Sequence, residues 1–98
     1  MVDLILKNGL IVDGTGAPVF SADLAIEGQQ IVGVGDVGSV SAAKTLDVNG
    51  LVVSPGFIDT HVHTDAALLN NPKHESAIQM GVTTEVLGQD GLSYAPLS

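Results

Sequence analysis

The sequence predicts a chain of mixed β and α/β architecture: an all-β layer over roughly the first half, then a strand, a helix and a second strand. Three observations carry that expectation. Asn8-Gly9, Gly28-Gln29 and Asn49-Gly50 separate short apolar runs, as turns between strands do. Pro55-Gly56 marks a change of character next to Ser54. Beyond it, apolar stretches flank a segment that carries helix start and stop signals.

The elements follow in order. Leu4 to Lys7 and Leu10 to Val12 read as a hairpin about Asn8-Gly9, followed by the loop Asp13-Gly14-Thr15-Gly16-Ala17-Pro18. Ala22 to Glu27 alternates, with Ala22, Leu24 and Ile26 on one face and Asp23, Ala25 and Glu27 on the other. Gln30 to Val34 returns after Gly28-Gln29 as a second hairpin. Thr45 to Val48 and Leu51 to Val53 are two more short strands about Asn49-Gly50. Gly33-Val34-Gly35-Asp36-Val37-Gly38 matches the glycine pattern of dinucleotide-binding folds letter for letter. That pattern works only where it opens a helix of about ten residues or more. Ser39 to Lys44 is too short and too rich in Ser and Val for that, so a glycine-rich turn between strands is expected instead.

In the second half the run Leu51 to Thr60 leads into His61-Val62-His63. Thr64 to Asn70 is expected as a loop. Asn71 is a candidate N-cap with Pro72 at the first helical position, and the helix runs through Met80 to a stop at Gly81. Val82 to Leu87 is rich in β-branched residues and bounded by Gly88. Strand, helix, strand is the unit from which parallel sheets and βα barrels are built. There is no internal repeat, low-complexity tract or charge run.

Composition limits the function. Ninety-eight residues allow a real but modest core, and 45% hydrophobic content with only 3% aromatic residues favours sheets and close helix packing over a few large anchors. Eleven acidic residues oppose three lysines, for a formal net charge of −8. That balance repels nucleic-acid phosphates and anionic membranes, so neither is an expected partner. Cysteine is absent, which excludes disulfides, a thiolate nucleophile and Cys-type zinc sites, so any metal must use nitrogen and oxygen ligands. With no positively charged leader and no apolar run of about eighteen residues, a soluble, cytoplasmic protein is expected.

His61 and His63 are the residues most suggestive of chemistry. On an extended strand, Phe57, Asp59, His61 and His63 share one face, so two imidazoles converge on one point. Imidazole is a borderline ligand suited to zinc, iron, nickel or copper. The alternative is a chance pair among the three histidines. The context of the pair decides between them.

The stretch Gly50-Leu51-Val52-Val53-Ser54-Pro55-Gly56-Phe57-Ile58-Asp59-Thr60-His61-Val62-His63 resembles the opening of the amidohydrolase superfamily. There a small β-sandwich domain leads into a distorted (β/α)8 barrel. A P-G-x-x-D-x-H-x-H stretch forms the first barrel strand, and its two histidines bind the catalytic metal. His63-Thr64-Asp65 and the segment from Gly81 to Pro96 narrow the resemblance to the N-acyl-D-amino-acid deacylase, or D-aminoacylase, family. The resemblance implies a β-sandwich-like N-terminal domain over residues 1–54 and the start of a TIM-like barrel over 55–98. It further implies a divalent metal, zinc foremost, on His61 and His63, and a small acylated amino acid as substrate. Asp65 and Asp59 are implied behind the ligands or against substrate. Ser93 and Tyr94 either touch substrate or pack the loop, and His74 is expected to be an exposed histidine of the short helix. The general acid/base is expected beyond Ser98.

Two departures stand out. The deacylases commonly place a metal-binding cysteine in a Gly-Asn-Cys-Gly turn, where this chain reads Gly88-Gln89-Asp90-Gly91. Asp90 then either takes over as an oxygen ligand or the metal held by that cysteine is absent. A full barrel also needs about 250 residues, so the chain resembles the first fifth of such an enzyme. The remainder is expected as a continuing or separate chain, and these 98 residues alone are expected to be inactive. Two alternatives remain. One is a cyclic-amide hydrolase of dihydroorotase or hydantoinase type, against which the segment from Gly88 to Pro96 argues. The other is a non-catalytic truncated fragment needing a complementary chain.

Overall fold

The computed structural model describes residues 1–88 and divides the chain into two compact units, Met1–Pro55 and a second that begins at Gly56. In the first unit, β1 (Val2–Ile11), β2 (Phe20–Glu27), β3 (Gln30–Gly35) and β4 (Ala42–Asp47) form a sheet in the order β3-β2-β1-β4. A short β5 (Val52–Val53) also pairs with β1. The described residues thus supply one layer, a single five-stranded sheet.

The expected hairpin about Asn8-Gly9 does not form, because β1 runs straight through it. Leu6 pairs with Leu24 and Gly9 with Ala22, so Lys7 and Asn8 together face Asp23 alone. This is a β-bulge, and Asn8 adopts the left-handed conformation there at φ 63°. Asparagine tolerates that region, and polar bonds fasten it on both sides. Its N–H donates to Asp23 Oδ1 at 2.9 Å and its side-chain amide to Asp47 Oδ1 at 3.2 Å. A residue pair that elsewhere makes a turn here makes a kink, because the strand has partners on both edges.

The bulge divides that edge of β1. Val2 to Lys7 pair in parallel with β4, and Leu10 and Ile11 pair in parallel with β5. The chain leaves the edge at Asn49-Gly50 and returns, with Leu51 N–H bonded to the Val48 carbonyl at 2.9 Å. The second expected hairpin does form: β2 and β3 are antiparallel about Gly28-Gln29, with Gly28 at φ 60°. After β3 the glycine-rich stretch turns through Gly38 directly into β4, with no helix, and Val37 folds back over the sheet. Ile5 (5% exposed), Ala25 (2%) and Val37 form the core on that face. The other face is an open apolar groove of about 650 Å³ lined by Leu6, Leu24, Ile26, Phe20 and Val53 among others.

In the second unit β6 (Phe57–Asp59) and β7 (Val82–Glu85) pair in parallel, joined through α1 (Asp65–Asn70) and α2 (Glu75–Gln79). The expected loop from Thr64 to Asn70 is therefore mostly helix. The alanines and leucines of Ala66-Ala67-Leu68-Leu69 are good helix formers by sequence, which favours helix over loop in this short segment. The helix expected from Asn71 starts late. Pro72 occupies a turn closed by His74 N–H to the Asn71 carbonyl at 3.1 Å, a position its fixed φ suits, and α2 begins only after His74. Gly81, at φ 84°, ends it as expected. Glycine is required at position 56 for a different reason: a Cβ there would overlap the Thr83 side chain. Outside residues 65–67, none of the described residues of this unit is buried, and Phe57 and Ile58 are 60% and 64% exposed. Among the described residues no helix is long and apolar enough to cross a membrane.

Candidate metal centre

The strand that leads into the histidines is shorter than the sequence suggests. β6 stops at Asp59, whose carbonyl accepts the last ladder bond, from Val86 N–H at 2.9 Å. Beyond it Asp59 Oδ1 accepts the His61 N–H at 3.3 Å. Such side-chain to backbone bonds compete with the strand ladder, and here the chain bends away at Thr60 and His61. The expectation that His61 and His63 share a face by strand parity is thereby corrected, since both lie past the strand end. Asp59 holds the backbone at the first histidine of the pair.

The bend nevertheless brings the rings together. The His61 and His63 ring centroids are 5.2 Å apart with the planes at 81°. Two imidazole nitrogens at about 2.0–2.1 Å from one tetrahedral ion put their ring centroids about 5 Å apart. The separation therefore fits two ligands on a single ion, and both side chains are exposed at the C-terminal end of a parallel strand. Among the described residues no group of three His, Asp or Glu side chains is assembled for a metal.

A polar network lies beside the pair. Thr64 Oγ1 donates to Glu85 Oε2 at 2.6 Å, and His74 Nε2 lies 2.6 Å from Glu85 Oε1. The Thr64 hydroxyl first, and then His74, hold the Glu85 carboxyl below its ordinary value of 4.5. His74 is thus not the exposed helix residue expected from sequence. It is half-buried and stands at the N-cap of α2 in the left-handed region, φ 48° and ψ 48°. The Pro72 turn swings it back toward β7. Sequence reasoning missed Thr64 and Glu85. The available signal was an acid at the C-terminal end of a strand parallel to the one that precedes the histidines. Asp65 opens α1. Asp90, Ser93 and Tyr94 lie outside the described residues.

No family model matches the chain. Over 96 residues it is 45% identical to D-aminoacylase of Alcaligenes xylosoxydans xylosoxydans, covering 98% of this chain and 20% of that protein. It is 40% identical to N-acyl-D-glutamate deacylase of the same organism, with 97% and 20% covered. Among solved structures, D-aminoacylase, which has a binuclear metal centre, matches with a TM-score of 0.93 and 47% identity over 99% of this chain and 20% of that one. N-acyl-D-glutamate deacylase from Bordetella bronchiseptica, complexed with zinc and a phosphonate that mimics the tetrahedral intermediate, matches at 0.89 and 39%, covering 97% and 20%. L-hydantoinase from Arthrobacter aurescens is more distant, at 0.71 and 34% over 87% of this chain and 20% of that one. The chain spans about a fifth of the length of the curated relatives it matches. Along almost its whole length it is therefore similar, in sequence and in fold, to the N-terminal part of the D-aminoacylase group of amidohydrolases.

Proposed function

We propose that this chain supplies the N-terminal part of a divalent-metal amidohydrolase that cleaves the amide bond of N-acyl-D-amino acids. In this reading residues 1–54 are the N-terminal β domain, and residues 55–98 open a TIM-like barrel whose later strands complete the site. The reading is supported by the approach of His61 and His63 at a strand's C-terminal end, within a chain 45% identical to D-aminoacylase over 98% of its length. That end of a βα barrel is where active sites are built.

The residues divide the work as follows. His61 and His63 hold the ion through ring nitrogens, and Asp59 keeps the chain bent so that both rings reach one point. When bound, a divalent ion supplies Lewis acidity toward an amide carbonyl and water of lowered pKa. Imidazole ligands suit zinc, which the N-acyl-D-glutamate deacylase structure contains. Asp90, standing where the resemblance places a cysteine, adds a hard oxygen ligand that broadens the metal preference toward manganese or cobalt. The proton-transfer group belongs to a later strand.

The test uses the full-length polypeptide that carries this sequence, loaded with zinc and offered N-acetyl-D-amino acids, their L enantiomers and dihydrouracil. Release of acetate from the D compounds in preference to the L compounds is expected. Opening of the cyclic amide without deacylation would replace this reading with the hydantoinase type, and no hydrolysis of any would overturn both.

A further inference from the structure

We propose that Glu85 is a positioning residue for the metal site, fixing through Thr64 the backbone that carries His63. The inference rests on the reading of His61 and His63 as metal ligands. Thr64 directly follows His63, and its hydroxyl reaches Glu85 Oε2 at 2.6 Å. The other carboxylate oxygen lies 2.6 Å from His74 Nε2, so both oxygens are engaged. Glu85 ends β7 in register with Asp59, which ends β6. One carboxylate therefore ties together the chain leaving β6, the start of α1 and the start of α2, at the end of the parallel pair where the histidines lie.

Two details support this arrangement. Thr64 immediately precedes α1, and its carbonyl accepts the Leu68 N–H at 2.7 Å. A capping threonine uses its hydroxyl oxygen as an acceptor and still has the O–H proton to give, and here that proton goes to Glu85. His74 sits in the left-handed region, which a non-glycine residue occupies only where its surroundings hold it. Groups that orient a metal ligand without touching the ion commonly control its affinity.

The experiment uses the full-length polypeptide and four variants: His63→Ala, Thr64→Val, Thr64→Ser and Glu85→Ala. Zinc affinity is read by competition with a chromophoric chelator, kcat and KM by deacylation, and folding by the melting of the metal-free protein. Thr64→Val keeps the shape of the side chain and removes the O–H. It and Glu85→Ala are expected to weaken zinc binding by about tenfold or more and to lower kcat with little change in KM. Thr64→Ser is expected to recover what Thr64→Val loses. If Glu85→Ala fails to fold, the two Thr64 variants decide the matter. His63→Ala losing zinc while Thr64→Val binds it like the parent would overturn the positioning role alone, as would Thr64→Ser failing as badly as Thr64→Val. His63→Ala retaining zinc would overturn the ligand reading and this proposal with it.

Discussion

The sheet of the first unit and the strand pair of the second are held by different things. β1 lies between β2 on one edge and β4 and β5 on the other, and with β2 it buries Ile5, Ile11, Leu24 and Ala25. Among the described residues β6 and β7 have only each other, and outside residues 65–67 no described side chain of that unit is buried. The residues proposed for chemistry nevertheless lie on the second unit. Their placement there depends on a few polar bonds, Asp59 to the His61 N–H and Glu85 to Thr64 and His74, more than on packing. Phe57 and Ile58 are neighbours that point to opposite faces of β6, and both are apolar and exposed. A strand apolar on both faces suits a parallel sheet covered on both sides, which is the setting proposed for it in the complete enzyme.

The sharpest way to break this contrast is to truncate one side chain in each unit of the 98-residue polypeptide and measure denaturant unfolding. Ile5→Ala, at a site 5% exposed, is expected to cost about 2–4 kcal/mol. Ile58→Ala, at a site 64% exposed, is expected to cost less than about 1 kcal/mol. Equal costs would show that the second unit has a core of its own. In the full-length polypeptide the Ile58→Ala cost is expected to rise toward that of Ile5→Ala.

Backbone changes come next. Gly56→Ala sets a Cβ against Thr83 and is expected to cost about 1–3 kcal/mol, read as faster amide exchange at Val82 to Glu85 while β1 and β2 keep their protection. Asn8→Ala removes the bond to Asp47 and leaves a β-carbon at φ 63°, for about 1–2 kcal/mol. Asn8→Gly, which relieves the conformation, is expected to cost less. If the glycine variant proved the worse of the two, the account of the bulge would be wrong.

The smallest effect is that of pH. Asp13 is held below its ordinary 3.8 chiefly by the Thr15 hydroxyl, Asp47 chiefly by the Asn49 N–H, and Glu85 chiefly by the Thr64 hydroxyl. Each folded-state pKa is lower than the unfolded one, so as pH falls the unfolded chain takes up protons first. The contribution is complete above the ordinary values of 3.8 and 4.5 and is lost as pH falls through the lowered ones. Melting temperature is expected to drop between pH 5 and 3, less so in Asp13→Asn and Glu85→Gln variants. A flat profile in the parent would contradict this.

Much of the β layer was legible because Gly28-Gln29 and the alternation from Ala22 to Glu27 act locally. Asn8-Gly9 was not, because the same two residues make a turn or a bulge depending on whether the strand has partners on both edges, and those partners come from Asp23 and Asp47, far along the chain. At the site, the pairing of His61 with His63 was legible from spacing, although the strand geometry behind it was not, since Asp59 ends the strand with its own side chain. The parallel return of β7 was legible from the order strand, helix, strand, but the network of Thr64, His74 and Glu85 was not, because it depends on the Pro72 turn that carries His74 back to β7.

The proposal that His61 and His63 share one metal ion is tested most directly by metal content. The full-length polypeptide and its His61→Ala and His63→Ala variants are each dialysed against zinc, freed of excess and analysed by mass spectrometry. The parent is expected to retain tightly bound zinc and each variant to lose an ion, with turnover falling by orders of magnitude. Equal zinc content and equal turnover in all three would contradict it.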